Sequence, residues 1–113
     1  MAKAPEAKLQ EDIVVGFNHN YGKYRGRLIA INNNSVNAIK ATQNTSMGVK
    51  KGVADLCFLC EGGSVIWIEL KAGYGIQSDG QIRWQGKVEA IGHTYKVVRS
   101  VEEFYSVIKS HLL

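Results

Sequence analysis

A chain of 113 residues has room for one domain, residues 1–113, with one modest core, and 45% hydrophobic with 21% charged is the composition of an ordinary globular protein. No apolar run approaches the roughly 18 to 20 residues that cross a bilayer, and Met1 to Glu6 lacks the apolar segment of a signal peptide. Membrane partners and secretion are therefore not expected, and the cytoplasm is. The net charge of +4 and pI near 9.1 lean toward a polyanionic partner.

Pro5 suits a first helical turn, and Leu9, Ile13 and Phe17 then recur at helical spacing. Glu6 and Gln10 lie on or beside that stripe. First-turn placement near the positive end of the helix dipole would account for Glu6 without any chemistry. Asn18 to Gly26 reads as a loop in which Tyr21, Lys23, Tyr24, Arg25 and Arg27 interleave aromatics with cations. That mixture suits phosphates and sugars, and it is equally that of a solvated turn. Leu28 to Ile31 forms a short strand. Asn32 to Lys51 is polar and long for a connection, a candidate flap that delivers Lys50 and Lys51 to nucleic acid. Val36, Ala38 and Ile39 within it fit either a short helix or a strand.

Gly52 to Lys71 is the informative stretch. Two apolar runs joined by Glu61-Gly62-Gly63 read as an antiparallel hairpin. Cys57 and Cys60 lie three positions apart on a strand, so their side chains leave opposite faces, and no second ligand pair accompanies them. They read as two buried thiols, not a zinc or redox pair. Glu69 and Lys71 share a face with Val65 and Trp67, which places a carboxylate and an ammonium on a strand that looks buried on both sides.

Past the hairpin, Ser78 opens a helix with Gln81 three residues on, a capping box, and Gly92 ends it. Trp84, Val88 and Ile91 form its apolar stripe. Gln81 falls on the inward side near the end of the preceding strand, where capping and a role at a site are compatible. Thr94 to Arg99 is a strand, and Ser100 with Glu103 starts a closing amphipathic helix carrying Val101, Phe104, Tyr105, Ile108 and Leu112. The three histidines lack ligand spacing, and His93 and His111 fall near helix ends, where an imidazole is usually solvated. The order α-β-β-β-α-β-α gives an α/β fold, a mixed β-sheet flanked by helices.

Antiparallel pairing brings Asp55, at the start of one hairpin strand, beside Glu69 and Lys71 at the end of the other. Carboxylates converging with a lysine form a hard-oxygen site for Mg²⁺ or Mn²⁺, suited to phosphodiester hydrolysis. A Glu-x-Lys at a strand end is commonly a solvated ion pair. Here Asp55 lies opposite, the strands are apolar and a Gln-bearing helix follows.

From about Glu6 to Phe104 the chain resembles the PD-(D/E)XK nucleases, with the restriction-endonuclease-like core. The nearer resemblance is to their virus-type replication-repair (VRR-NUC) branch, whose stand-alone members occur in phages and other viruses. Gly52-Val53-Ala54-Asp55 resembles the branch's Gly-x-Pro-Asp, with alanine where proline is usual, a position that shapes backbone and not chemistry. Ile68-Glu69-Leu70-Lys71 resembles its hydrophobic-Glu-x-Lys, Ser78-Asp79-Gly80-Gln81 its Ser-x-x-Gln, and Glu6 with Gln10 its N-terminal acidic motif. The resemblance implies that Asp55, Glu69 and the Leu70 carbonyl hold the metal and that Lys71 acts on the attacking water. Gln81 would help position that water, and Glu6 would be a further acidic residue, with Glu11 as the fallback. It also implies a homodimeric endonuclease acting on branched DNA such as four-way junctions. A DNA-binding module without turnover and a nuclease for linear duplex are the alternatives.

Overall fold

The computed structural model describes residues 4–31, 42–43 and 45–112. Helix α1 spans Pro5–Asn20, with proline in its first turn and Ile13 and Phe17 buried. It runs further than the sequence suggests. The supposed loop from Asn18 begins as the last turn of α1, and Gly22–Tyr24 adds a 3₁₀ turn. The reason is packing: Tyr21 stacks on Phe17 with ring centroids 5.7 Å apart, and Tyr24 is only 3% exposed in the core. The aromatics there continue the helix's apolar stripe.

Strand β1, Leu28–Ala30, pairs antiparallel with β2, Leu56–Leu59, and β2 pairs antiparallel with β3, Val65–Leu70. A Glu61–Gly63 3₁₀ turn closes the expected hairpin, and positive φ at Gly62 (86°) and Gly63 (91°) explains the glycine pair. Helix α2, Asp79–Ala90, crosses to β4, Thr94–Val98, which lies parallel to β3. Helix α3, Val101–Ile108, closes the order. The sheet order β1-β2-β3-β4 places Glu69 on a central strand, with Lys71 directly after that strand's last residue.

Alternation sorts side chains to two faces. Leu56, Phe58, Ile66, Ile68, Leu70 and Val98 pack against Ile13 and Phe17 of α1 and Phe104 and Ile108 of α3. Phe17 meets Phe58 and Phe104 edge to face at 5.8 and 6.0 Å. On the other face Trp84 of α2 meets Trp67 at 5.1 Å and Tyr95 at 6.0 Å. Cys60 belongs to the first cluster and Cys57 does not. Both are free and buried, and burial raises the Cys57 thiol above its ordinary pKa.

Three expectations change in detail. Ile91 is 75% exposed, because α2 has ended and the chain is turning away at that point. His93 is not simply solvated: its Nδ1 accepts from Trp67 Nε1 at 3.2 Å. Ser100 caps α3 through Glu103 N, but the Glu103 carboxylate accepts from Arg99 N instead of closing the box. Of the polar Asn32–Lys51 stretch, residues 42, 43, 45 and 46 are helical, whereas Val36, Ala38 and Ile39 lie outside the described residues.

Candidate metal centre

The β2–β3 ladder stops at Leu56↔Ile68, and the next amide on β3 is taken by a side chain. Leu70 N donates to Asp55 Oδ2 at 2.7 Å, so the carboxylate finishes the ladder and is fixed by it. Asp55 O in turn accepts from Ile31 N at 2.8 Å, which holds the residue from its β1 side as well. Glu69, one residue before Leu70, is fully buried on the α2 face. From α1, Glu6 reaches the same place. Carboxylate oxygens of Glu6, Asp55 and Glu69 lie within 4.8 Å of one another. The cluster takes Glu6 and not Glu11, which is exposed.

Glu69 is held from two further elements. Gln81 Nε2 donates to Glu69 Oε1 at 3.0 Å, and Tyr95 Oη donates to Oε2 across a longer 3.5 Å. The Gln81 amide is itself oriented by the helix cap, since its Oε1 accepts from Ser78 N at 2.8 Å while Ser78 Oγ accepts from Gln81 N at 3.2 Å. Both halves of the capping box are thus made, and the free end of the Gln81 amide faces the carboxylate. Tyr95 Oη accepts from Gln77 Nε2, which also donates to Gln85 Oε1. Among the described residues every buried side-chain polar atom has a hydrogen-bond partner.

Burial is the main reason the Glu69 carboxyl is pushed up to about 8. The hydrogen bond and charge of Asp55 and the charge of Glu6 add to it, while Lys71 pulls the other way. The Tyr95 hydroxyl, raised to about 12 by burial and then by Glu69, remains a donor throughout the neutral range.

Lys71 is 9% exposed, and its peptide N–H extends the β3–β4 ladder to Val98 O at 3.1 Å. The turn that follows lies over its stem: a Cβ on Gly75 would stand 3.7 Å from Lys71 Cδ and 3.2 Å from Ala72 O. Arg99 pins that turn, with Nη1 donating to Gly73 O at 3.1 Å and Gly75 O at 2.7 Å. Gly52 is constrained from the other side. Its φ of +85° and the 3.0 Å between a Cβ there and the Gly80 backbone leave no room for a side chain. That close approach seats the segment leading to Asp55 on the first turn of α2.

The expected nucleic-acid contacts are divided. Leu59 N donates to Arg27 O, so the Lys23–Arg27 segment stands at the hairpin-turn end of the sheet, away from Asp55. There Arg27 pairs with Glu61 at 3.8 Å, and Lys23 and Arg27 lie over the Tyr24 ring at 5.1 and 5.0 Å. Lys50 and Lys51 instead line a cavity beside α2 with Arg83 and Lys87. Sequence reasoning missed Arg83 and Lys87, although their i, i+4 spacing after Ser78-x-x-Gln81 marks one helix face. It also missed Tyr95, Gln77 and Arg99, whose roles depend on β4 lying beside β3.

The donor set fits a hard dication. Three carboxylates meet, one buried and two half-buried, and all would-be ligands are oxygens. Glu69, whose pKa is raised first by burial and then by Asp55 and Glu6, carries a charge that a divalent ion would neutralise. No protein-family model and no curated protein matches the sequence. A solved structure named VRR_NUC domain protein superposes with a TM-score of 0.73 over 98% of this chain and 90% of that one, at 19% identity. The likeness establishes the fold alone, a mixed sheet flanked by helices. No helix among the described residues is long and apolar enough to cross a membrane.

Proposed function

We propose that a chain with this fold and this acidic pocket is a divalent-metal-dependent DNA endonuclease of the stand-alone viral VRR-NUC kind. Its single domain spans residues 1–113 and works as a homodimer on branched DNA such as four-way junctions, in the cytoplasm of a bacterium or infected host. One observation carries the reading: Glu6, Asp55 and Glu69 converge within 4.8 Å, with buried Lys71 beside them and Gln81 on Glu69. The preference for branched DNA and the dimer rest on the motif resemblance.

Asp55, Glu69 and the Leu70 carbonyl would hold Mg²⁺ or Mn²⁺, with Glu6 as a further acidic group. Such an ion, when bound, polarises the phosphodiester and lowers the pKa of water. The protein's own part is positioning and charge. The Leu70 amide fixes Asp55, and Gln81 fixes one oxygen of Glu69, so both carboxylates are oriented before substrate arrives. As an ammonium, Lys71 donates hydrogen bonds only, so it orients the attacking water or neutralises charge growing on the phosphate. In hydrolysis the water oxygen bonds to phosphorus, the bond to the departing sugar oxygen breaks, and a terminal phosphate and hydroxyl result.

The test is cleavage of four-way, flapped and linear DNA with Mg²⁺, Mn²⁺ or EDTA. Metal-dependent cutting, strongest on the junction, is expected. Lys71→Ala and Glu69→Ala proteins that still fold should lose on the order of 10²–10³-fold or more in rate. Undiminished cutting by either variant refutes the assignment. Junction binding without cleavage under any divalent metal would favour a DNA-binding module of the same fold.

A further inference from the structure

Lys50, Lys51, Gly52, Ser78, Gly80, Arg83, Trp84 and Lys87 surround a cavity of about 220 Å³ outside the carboxylate pocket. Four of its walls are cations, and all four are exposed. The ion pairs of the described residues that lie nearest in kind, Lys8 with Asp12 and Arg27 with Glu61, are elsewhere, and none of the four is paired with a described carboxylate. Arg83 and Lys87 stand at i, i+4, a spacing at which like charges weaken a helix by a few tenths of a kcal/mol. Folding alone does not reward this gathering of charge. A dianion or a chain of phosphates would.

The walls are also held in place. Lys50 and Lys51 come from one segment and Arg83 and Lys87 from another, and the Gly52–Gly80 backbone contact fastens the two together. The first turn of α2 adds the positive end of its dipole to the cavity at Ser78 and Gly80. The floor is Trp84, fixed edge-on against Trp67. These exposed cations line a single concavity and are not scattered over the surface.

Gly80 directly precedes Gln81, whose amide lies 3.0 Å from Glu69 Oε1. The cavity is therefore next to the acidic pocket, separated by that side chain. We propose that the cavity binds a DNA backbone phosphate neighbouring the one placed at Glu69 and Asp55, with Arg83 and Lys87 on one side of it and Lys50 and Lys51 on the other. This rests on the nuclease reading for its choice of ligand. An anionic carboxylate pocket repels DNA unless a cationic surface beside it holds the strand, and this cavity is that surface. It sets which phosphate enters the acidic pocket by gripping the next one.

The experiment is equilibrium binding of fluorescent four-way and linear DNA in EDTA over a range of salt, so that it needs neither metal nor turnover. Each phosphate contact contributes about 0.9 to the slope of log K against log salt. Arg83→Gln/Lys87→Gln should lower that slope by up to about 0.9, the share of the one phosphate held there, and Lys50→Gln/Lys51→Gln on the opposite wall should do the same. All four side chains are exposed, and unchanged melting temperatures would verify folding. Unchanged slopes in both double variants would overturn the proposal. So would tryptophan-fluorescence titrations in which inorganic phosphate or tripolyphosphate fills the cavity without displacing DNA, since the site would then serve free anions. Wild-type protein that binds through these residues yet never cleaves would refute the nuclease reading and leave the cavity's role standing. Wild-type protein that cleaves, with both variants keeping its slope, would refute the cavity alone.

Discussion

On one face of the sheet, Phe17, Phe58 and Phe104 meet edge to face among aliphatic side chains from α1, α3 and three strands. On the other, Trp67, Trp84 and Tyr95 share the space with Glu69, Gln77, Gln81 and Gln85, joined by hydrogen bonds. The first face is non-directional: any well-shaped apolar set would fill it. The second depends on direction, because a buried carboxylate is tolerated only where each oxygen has a partner. The difference separates what makes the chain fold from what makes the pocket chemical.

Breaking the apolar face should give the largest stability change. Phe17→Ala removes the ring on which four aromatics converge, and a loss of about 3–5 kcal/mol is expected in denaturant unfolding. Cleavage by the fraction still folded should persist at low temperature. Loss of activity without loss of stability would dissolve the division between the faces.

The polar face should reveal itself through pH. In metal-free protein the Glu69 carboxyl has its pKa raised from 4.5 to about 8. Between those values the folded state keeps a proton that the unfolded chain has released, so stability is full below the lower value and falls as pH rises toward the upper. The expected outcome is a melting temperature that declines from about pH 5 to about pH 8, a decline removed by Mg²⁺ or Mn²⁺ and flattened in Glu69→Gln. Equal profiles for wild type and Glu69→Gln would show that the pocket does not hold the proton.

The smallest effect should come from Ser78→Ala. Loss of the cap costs about 1 kcal/mol. The Ser78 hydroxyl accepts from the Gln81 backbone N–H, so its loss loosens the first turn that carries the Gln81 side chain even though the Ser78 N–H to Gln81 Oε1 bond remains. Cleavage should fall by more than the small stability loss accounts for, and Ser78→Thr, which can cap, should restore it. A cleavage rate that follows folded fraction alone would reduce Ser78 to a helix cap.

Much of this was legible from residue order. The hairpin, its glycine turn, the Ser78–Gln81 box and the meeting of Asp55 with Glu69 all follow from local patterns and one antiparallel pairing. Glu6 needed more, since α1 must lie across the sheet before its first turn reaches Asp55, and spacing along a helix carries no such information. Tyr21 and Tyr24 misled because aromatics among cations look alike whether they face a core or a ligand. Arg83 and Lys87 became notable only when the Gly52–Gly80 contact brought Lys50 and Lys51 opposite them. The role of Tyr95 depends on the parallel pairing of β3 with β4, a long-range choice made by the α2 crossover.

Arg99 gripping two carbonyls of the turn at Gly73 and Gly75 has a thermodynamic consequence for Lys71 beneath it. A free lysine side chain gives up roughly 1.5–2 kcal/mol of rotamer entropy when it is immobilised. With its stem already covered by the pinned turn, Lys71 gives up most of that freedom when the chain folds, and little remains to be lost when a phosphate arrives. On the proposed nuclease reading, the arginine thus shifts an entropic cost from every turnover to a single folding event, without touching the substrate.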